Sequence, residues 1–243
     1  MCGPPPGGPW VLMSTLGIIV AMREELAVVL ERLRDSHTRQ RAGMTFHCGT
    51  YLGKPVVAVV CGVGKVNAAT CTQLLISEFA VGRIINIGIA GGLAPGIVPG
   101  DVVIADSLVQ HDMDLQALGL PPGQLFRLDT FDFPADPALL AIARQAAQNI
   151  RHHSVHVGRI VTGDQFIACN DKIQWLTDTF DALACEMESA AIAQVCYLNA
   201  LPFVCIRSIS DNANQGAHMD FDTFLPIAVD HASALLHTMV PAC

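Results

Sequence analysis

The sequence predicts an α/β protein, a three-layer αβα sandwich with helices on both faces of a mixed central sheet. Leu16 to Met22 and Phe203 to Ile206 are continuous apolar runs, the mark of strands buried on both faces. Such runs alternate with stretches whose apolar residues recur at helical spacing. A two-residue connection, Leu52-Gly53, joins the strand-like segments Met44–Tyr51 and Lys54–Cys61, and this hairpin makes the sheet mixed.

In chain order, residues 1–13 are expected to be a flexible leader, because Pro4-Pro5-Pro6 and the paired glycines around it suit neither a sheet nor a helix interior. A single domain is expected over 14–243. After the first strand, Leu26, Val29, Leu30 and Leu33 share one helical face within Glu24–Leu33. The hairpin follows, and then Gly62-Val63-Gly64 leads into a helix from Val66 to Glu78. A buried strand, Arg83–Ile89, runs into Gly88-Ile89-Ala90-Gly91-Gly92, read here as a glycine-rich turn. Further strands are expected at Val102–Val109, Val155–Val161 and Phe203–Ile206, and helices at Pro137–Asn149, Asp171–Thr179, Glu188–Leu198 and Asp222–Met239. Gln110–Phe133 has no clear period, and a loop of that length marks a pocket wall or an interface.

Composition excludes several functions. Hydrophobic residues make up 51% of the chain and charged ones 15%, so disorder is excluded and a large core or interface is expected. Mean hydropathy is +0.43, yet each long uncharged stretch is too short or too broken by glycine and proline to cross a bilayer. The net charge of −8, from 14 basic and 22 acidic residues, argues against a nucleic-acid partner, which needs a basic face. The cysteines number nine, are scattered and form no C-x-x-C pair, as suits thiols used as small hydrophobes in a reducing cytoplasm. His152, His153 and His156 read as a segment entering a strand, since no carboxylate or cysteine joins them at ligand spacing. No metal and no cofactor are expected.

The chemistry-bearing residues are acids at element ends. Glu25 lies where the first strand gives way to a helix, Glu186 and Glu188 flank Met187 before another helix, and Asp211 closes Arg207-Ser208-Ile209-Ser210-Asp211. Each alone also suits a helix cap or first turn. Together, beyond the carboxyl ends of strands, they indicate a ligand site. The two glycine stretches can aim backbone N–H groups at an anion or serve close packing, and spacing does not separate these.

The motifs Ala21-Met22-Arg23-Glu24-Glu25, Cys61-Gly62-Val63-Gly64-Lys65-Val66-Asn67-Ala68-Ala69, Asn86 through Leu93, Gly100-Asp101-Val102, Thr162 through Ile167, Glu186-Met187-Glu188-Ser189-Ala190-Ala191 and Ser210-Asp211-Asn212-Ala213 occur in that order. From about Leu16 to about Val240 the chain resembles the 5′-methylthioadenosine/S-adenosylhomocysteine nucleosidases of the purine nucleoside phosphorylase and hydrolase superfamily. The resemblance implies a nucleoside phosphorylase-like fold and hydrolysis of an adenine nucleoside without a cofactor. It implies Asp211 as the acid at purine N7, oriented by Ser210, and Glu25 as the group that orients or deprotonates water. Glu188 would take the ribose hydroxyls, Met187 would pack under the sugar, Phe166 would stack on adenine, and the Ile167 backbone would read the purine edge. Arg207 would hold the acidic cluster, with Glu186, Met22 and Phe221 among the other binding residues. A homodimer is implied, in which Leu118 and Phe126 of one subunit reach the pocket of the other.

Charge favours water over phosphate as the nucleophile. A dianion beside the ribose needs arginines in the glycine stretches. Superfamily phosphorylases resemble one another in carrying an arginine where this chain has Asn86, and Glu24 and Glu25 are expected to repel phosphate. Ile89 departs from the hydroxyl residue that many of the nucleosidases carry. The alternatives are a phosphate-dependent purine nucleoside phosphorylase, a futalosine-type nucleoside hydrolase, or a nucleoside-binding protein without catalysis.

Overall fold

The chain runs β1 (Leu16–Val20), α1 (Arg23–Leu30), β2 (Arg34–Arg41), β3 (Met44–Tyr51), β4 (Lys54–Val60), α2 (Lys65–Phe79), β5 (Arg83–Gly92), β6 (Val102–Gln110), β7 (Phe133–Pro134), α3 (Pro137–Ala147), β8 (Val155–Thr162), α4 (Asn170–Phe180), β9 (Ala182–Glu186), α5 (Ser189–Leu198), β10 (Phe203–Asp211) and α6 (Ala217–Ala242). These elements come from a computed structural model that describes residues 15–151, 153–212 and 217–243, without the side chains of 217–223 and 232. The expected leader at 1–13, His152 and Ala213 lie outside the described residues.

All ten strands join one mixed sheet, with helices on both of its faces. β1 pairs in parallel with both β4 and β5, and the antiparallel β4–β3–β2 arm forms one wing. At the other end β5, β10, β6, β8 and β9 close on one another as a ring, since β5 pairs with both β10 and β9. Ile18, Ile19, Ile84, Ile85, Val204 and Cys205 are fully buried within the strands. Helices α1, α3 and α6 bury Leu26, Val29, Leu139, Ala143, Leu236 and Met239 in one core. The opposite core takes Ala68, Cys71 and Leu75 of α2 with Ala190, Ile192 and Cys196 of α5. Fully burying an aliphatic side chain of this size contributes about 1.5–3 kcal/mol, so these two cores dominate folding.

Local chemistry sets the element ends. Asp136 caps α3 by accepting from the N–H groups of Ala138 and Leu139 at 3.0 and 2.9 Å, with Pro137 at the first helical position. The β3–β4 hairpin turns at Leu52 and Gly53, both at positive φ (49° and 81°).

The structure adds two strands not expected from sequence, β7 and β9, and departs from the expectation in three further places. Gly88–Gly92 is not a turn but the tail of β5, paired with β10 and β9. Arg34–Arg41, without an apolar alternation, is nonetheless an exposed edge strand, and its arginines suit an edge that must not pair with another chain. β10 continues past Ile206 through Arg207 to Asp211, so those polar residues are buried strand, not a following loop.

Among the described residues no helix is long and apolar enough to cross a membrane. All of their cysteines are free. No group of three His, Cys, Asp or Glu side chains among them could hold a metal. Asp101 does meet His156, its carboxylate 2.9 Å from Nε2, from 55 residues away in sequence.

Candidate active site

A cavity of about 400 Å³ opens where β1, β5, β9 and β10 end, lined by Ala21, Met22, Glu25, Val63, Ile89, Ala90, Gly91, residues 165–167, residues 185–188, Arg207, Ser210 and Asp211. Ten of the residues singled out from sequence thus converge: Met22, Glu25, Phe166, Ile167, Glu186, Met187, Glu188, Arg207, Ser210 and Asp211. Leu118 and Phe126 do not join them; they lie 65% and 59% exposed on the Gln110–Phe133 loop, no residue of which lines this cavity. Phe221 lies in α6 among the residues whose side chains are not described.

Glu25 is the third residue of α1 and reaches back so that its Oε2 accepts from the N–H groups of Ala21 and Met22, both at 2.9 Å. This is the return half of a capping box, so one carboxylate both starts the helix and faces the cavity. Burial raises its pKa, against the pull of Arg207 and of the surrounding N–H groups. Glu24, by contrast, is exposed. Only one carboxylate of that pair therefore meets the ligand space, which corrects the expectation that both act on it.

Beneath the cavity floor lies a buried polar network that sequence reasoning largely missed. The carboxylate of Glu186 accepts from the Thr162 hydroxyl, from the N–H groups of Glu188 (3.0 Å) and Ser189 (2.9 Å), and from Arg207 Nη2 at 2.5 Å. Arg207 also donates to Asn86 Oδ1 and Ser189 Oγ, at 2.9 and 2.7 Å. Burial opposes the charge of Glu186, but Arg207, Thr162 and Ser189 prevail and hold its carboxyl below the ordinary value. Glu188, two residues on, moves the other way. Burial and the neighbouring Glu186 push it up to about 7, against Arg207 and the Gly64 N–H. The near carboxylates of one strand end are thus split into a permanently charged brace and a titrating group.

Gly88 makes room for this arrangement. A Cβ there would sit 2.0 Å from Arg207 Nη1 and 2.9 Å from Glu25 Oε1. The N–H groups that open α2 are taken up internally, Gly64 donating to Glu188 Oε1 at 2.9 Å and Lys65 to Asp164 Oδ1 at 2.8 Å. At the far wall the Ser210 hydroxyl donates to Asp211 Oδ2 at 2.7 Å. Phe166 is 51% exposed, whereas Ile167 is buried. Val63, Gln165 and Cys185 complete the lining. The motifs around Val63, at residues 86–91 and 162–165, and around Ser189 held most of the lining and network residues that were not singled out from sequence.

A parallel-rich sheet with a ligand cavity at its strand ends belongs to a known class. The model of the Phosphorylase superfamily matches residues 15–241, and the chain belongs to that superfamily. A 5′-methylthioadenosine/S-adenosylhomocysteine nucleosidase of Psychromonas ingrahamii is 42% identical over 93% of this chain and 97% of its own. The solved nucleosidase of that name from Neisseria meningitidis, in complex with methylthio-immucillin-A, superposes with a TM-score of 0.91 at 35% identity, covering 95% of this chain and all of the other. The futalosine hydrolase of Helicobacter pylori gives 0.90 at 33% identity, covering 96% of this chain and 99% of the other. Within the superfamily, the chain is a member of the 5′-methylthioadenosine/S-adenosylhomocysteine nucleosidase family.

Proposed function

We propose that the protein hydrolyses the N-glycosidic bond of 5′-methylthioadenosine and S-adenosylhomocysteine, releasing adenine and a 5-thio-substituted ribose. The observation that carries this reading is the charge of the cavity. Among the described residues, Glu25, Glu186, Glu188 and Asp211 line it with one cation, Arg207, whose Nη2 is engaged by Glu186 and Asn86. Two N–H groups at the start of α2, those of Gly64 and Lys65, of a kind that otherwise suits a phosphate, are occupied by the protein's own carboxylates. A phosphate dianion would meet four carboxylates against one guanidinium here, whereas a neutral nucleoside and a cation-like transition state find complementary charge.

In this reading Asp211 delivers a proton to purine N7 as the bond from N9 to C1′ breaks, and the Ser210 hydroxyl fixes its orientation. General acid catalysis of this kind contributes about 10²–10⁴-fold. Glu25, whose pKa is raised by burial, orients water and takes its proton as the oxygen bonds to C1′. Charged Glu188 accepts the ribose hydroxyls and Met187 packs under the sugar, with Met22 and Phe221 among the other binding residues. Phe166 stacks on the adenine and the Ile167 backbone reads its edge. Glu186 and Arg207 brace the site, the Glu186 carboxylate held by the Ser189 N–H and by Arg207 Nη2, which also donates to Ser189 Oγ. Neither metal nor cofactor has a part in the reaction.

A homodimer belongs to the same reading. Val63, Val66, Leu118, Phe126, Tyr197 and Leu198 are large hydrophobics left exposed, and in the dimer Leu118 and Phe126 cover the 5′ substituent in the partner's pocket. Free thiols suit a cytoplasmic location. The deciding experiment measures adenine release from methylthioadenosine, adenosylhomocysteine and a futalosine-type nucleoside, with and without phosphate. Phosphate-independent release from the two thio-nucleosides is expected. A requirement for phosphate, with ribose-1-phosphate as product, would overturn the hydrolase reading; preference for the futalosine-type nucleoside would overturn the substrate.

A further inference from the structure

Three segments distant in sequence meet beside the cavity in a closed cycle of hydrogen bonds. Lys65 Nζ donates to Asp112 Oδ1 at 2.6 Å, the other oxygen of Asp112 accepts the Asp164 N–H at 3.0 Å, and Asp164 Oδ1 accepts the Lys65 N–H at 2.8 Å. Lys65 also reaches Gln110 Oε1 at 3.2 Å, and Gln110 Nε2 donates to Gln194 Oε1 on α5 at 2.5 Å. None of these five residues lines the cavity. Each segment nevertheless continues directly into it. Gly64, next to Lys65, holds Glu188; Asp164 is followed by Gln165, Phe166 and Ile167; α5, which carries Gln194, starts at the residue after Glu188.

We infer that Lys65 is a positioning residue: with Asp112 and Asp164 it fixes the distance between the ribose acceptor Glu188 and the adenine-binding loop 165–167. The inference rests on the nucleosidase reading for what those two groups bind. An ion pair on an open surface contributes little, but this one is of another kind. The Lys65 and Asp112 side chains are only 18% and 17% exposed, and both oxygens of Asp112 are used. Burial opposes the charge of Asp112, yet the Lys65 ammonium and the Asp164 N–H outweigh it and hold its carboxyl below the usual range. The fit around the cycle is close as well. Gly64 stands at φ +99°, and a Cβ on it would lie 3.1 Å from Asp164 Oδ1. Removing the ammonium leaves a desolvated carboxylate among N–H donors that no longer balance it, and the two loops lose their common anchor. A displacement of about 1 Å in binding groups costs on the order of 10²-fold in rate.

The test compares Lys65→Met, Lys65→Arg and Asp112→Asn with the unaltered protein, reading kcat and KM for methylthioadenosine, calorimetric affinity for adenine, and melting temperature. Lys65→Met and Asp112→Asn are expected to lower kcat/KM by about 10- to 100-fold and to weaken adenine binding, with a melting temperature close to the original. Lys65→Arg restores most of both. The double variant is no worse than the weaker single, because both changes break one cycle. Unchanged kcat/KM and adenine affinity in either single variant that folds, or strictly additive losses in the double variant, would overturn the inference, as would a loss that Lys65→Arg fails to restore. Adenine affinity separates this outcome from the hydrolase reading. If the unaltered protein binds adenine but releases none from methylthioadenosine, that reading fails, while the adenine affinities still decide on Lys65. If it neither binds adenine nor releases it from methylthioadenosine, both fail.

Discussion

The two ends of the sheet are built from the same alternation of apolar strands, but they handle polar residues in opposite ways. The β2–β3–β4 wing puts its charges outside: Arg39 and Arg41 lie on the edge strand, 3.8 and 2.6 Å from Glu78, with all three side chains one-third or more exposed. The β5–β10–β6–β8–β9 ring instead carries a charged pair inside, with Glu186 and Arg207 almost wholly buried at 2.5 Å. Exposed pairs contribute about 0–1 kcal/mol and tolerate change. Buried ones contribute little to net stability yet are costly to break singly, so their value lies in holding groups at fixed places. The ring is the end of the molecule where the ligand space opens.

That contrast makes graded predictions. The largest effect belongs to Asp211→Asn, expected to lower kcat for methylthioadenosine by about 10²–10⁴-fold with little change in melting temperature; near-normal turnover would remove Asp211 as the acid. Next, Arg207→Met leaves Glu186 buried without its cation and is expected to cost about 3–5 kcal/mol, read as a lower urea midpoint at unchanged slope. A loss under 1 kcal/mol would mean that the ring tolerates charge changes as the wing does.

A smaller effect concerns pH. Glu188 titrates near 7 because burial and Glu186 disfavour its charge. The charged acceptor is therefore present above that pH and lost as pH falls through it. The pH profile of kcat/KM is expected to fall on its acid side with a midpoint near 7, and Glu188→Gln to remove that midpoint while lowering the plateau. The stability contribution of the same group has the opposite slope: its pKa is raised above the ordinary 4.5, so it favours the fold at low pH and this is lost as pH rises through about 7. The smallest effect is expected in the wing, where Thr38→Ala on exposed β2 should shift stability by no more than about 0.5 kcal/mol and leave turnover unchanged.

The same division explains what could be read from sequence. The buried strands and their helices were legible because apolar runs and helical periods are local signals, and Glu25, Glu188 and Asp211 were legible as acids standing at the ends of such runs. β2 was not, because an exposed edge strand has no apolar face to alternate. Gly88–Gly92 looked like a turn because glycine usually marks one, whereas here Gly88 makes space for a guanidinium brought in by β10. Thr162, Ser189 and Asn86 stood in recognisable motifs, but nothing local showed that they would meet Glu186 and Arg207. Their roles arise only when Asn86 meets Arg207 from 121 residues away and Thr162 meets Glu186 from 24.

The bare backbone at Gly88 has a consequence for the history of the chain. A methyl group at 88 would stand 2.0 Å from a guanidinium nitrogen of Arg207, so the two coexist only if that guanidinium leaves its place. A lineage that enlarges position 88 first meets a collision, and one that shortens position 207 first strands a buried glutamate. Neither single step is neutral, so the two sites can be exchanged only together. Random drift, which takes one step at a time, is expected to leave this pair as it is while the wing's surface changes freely.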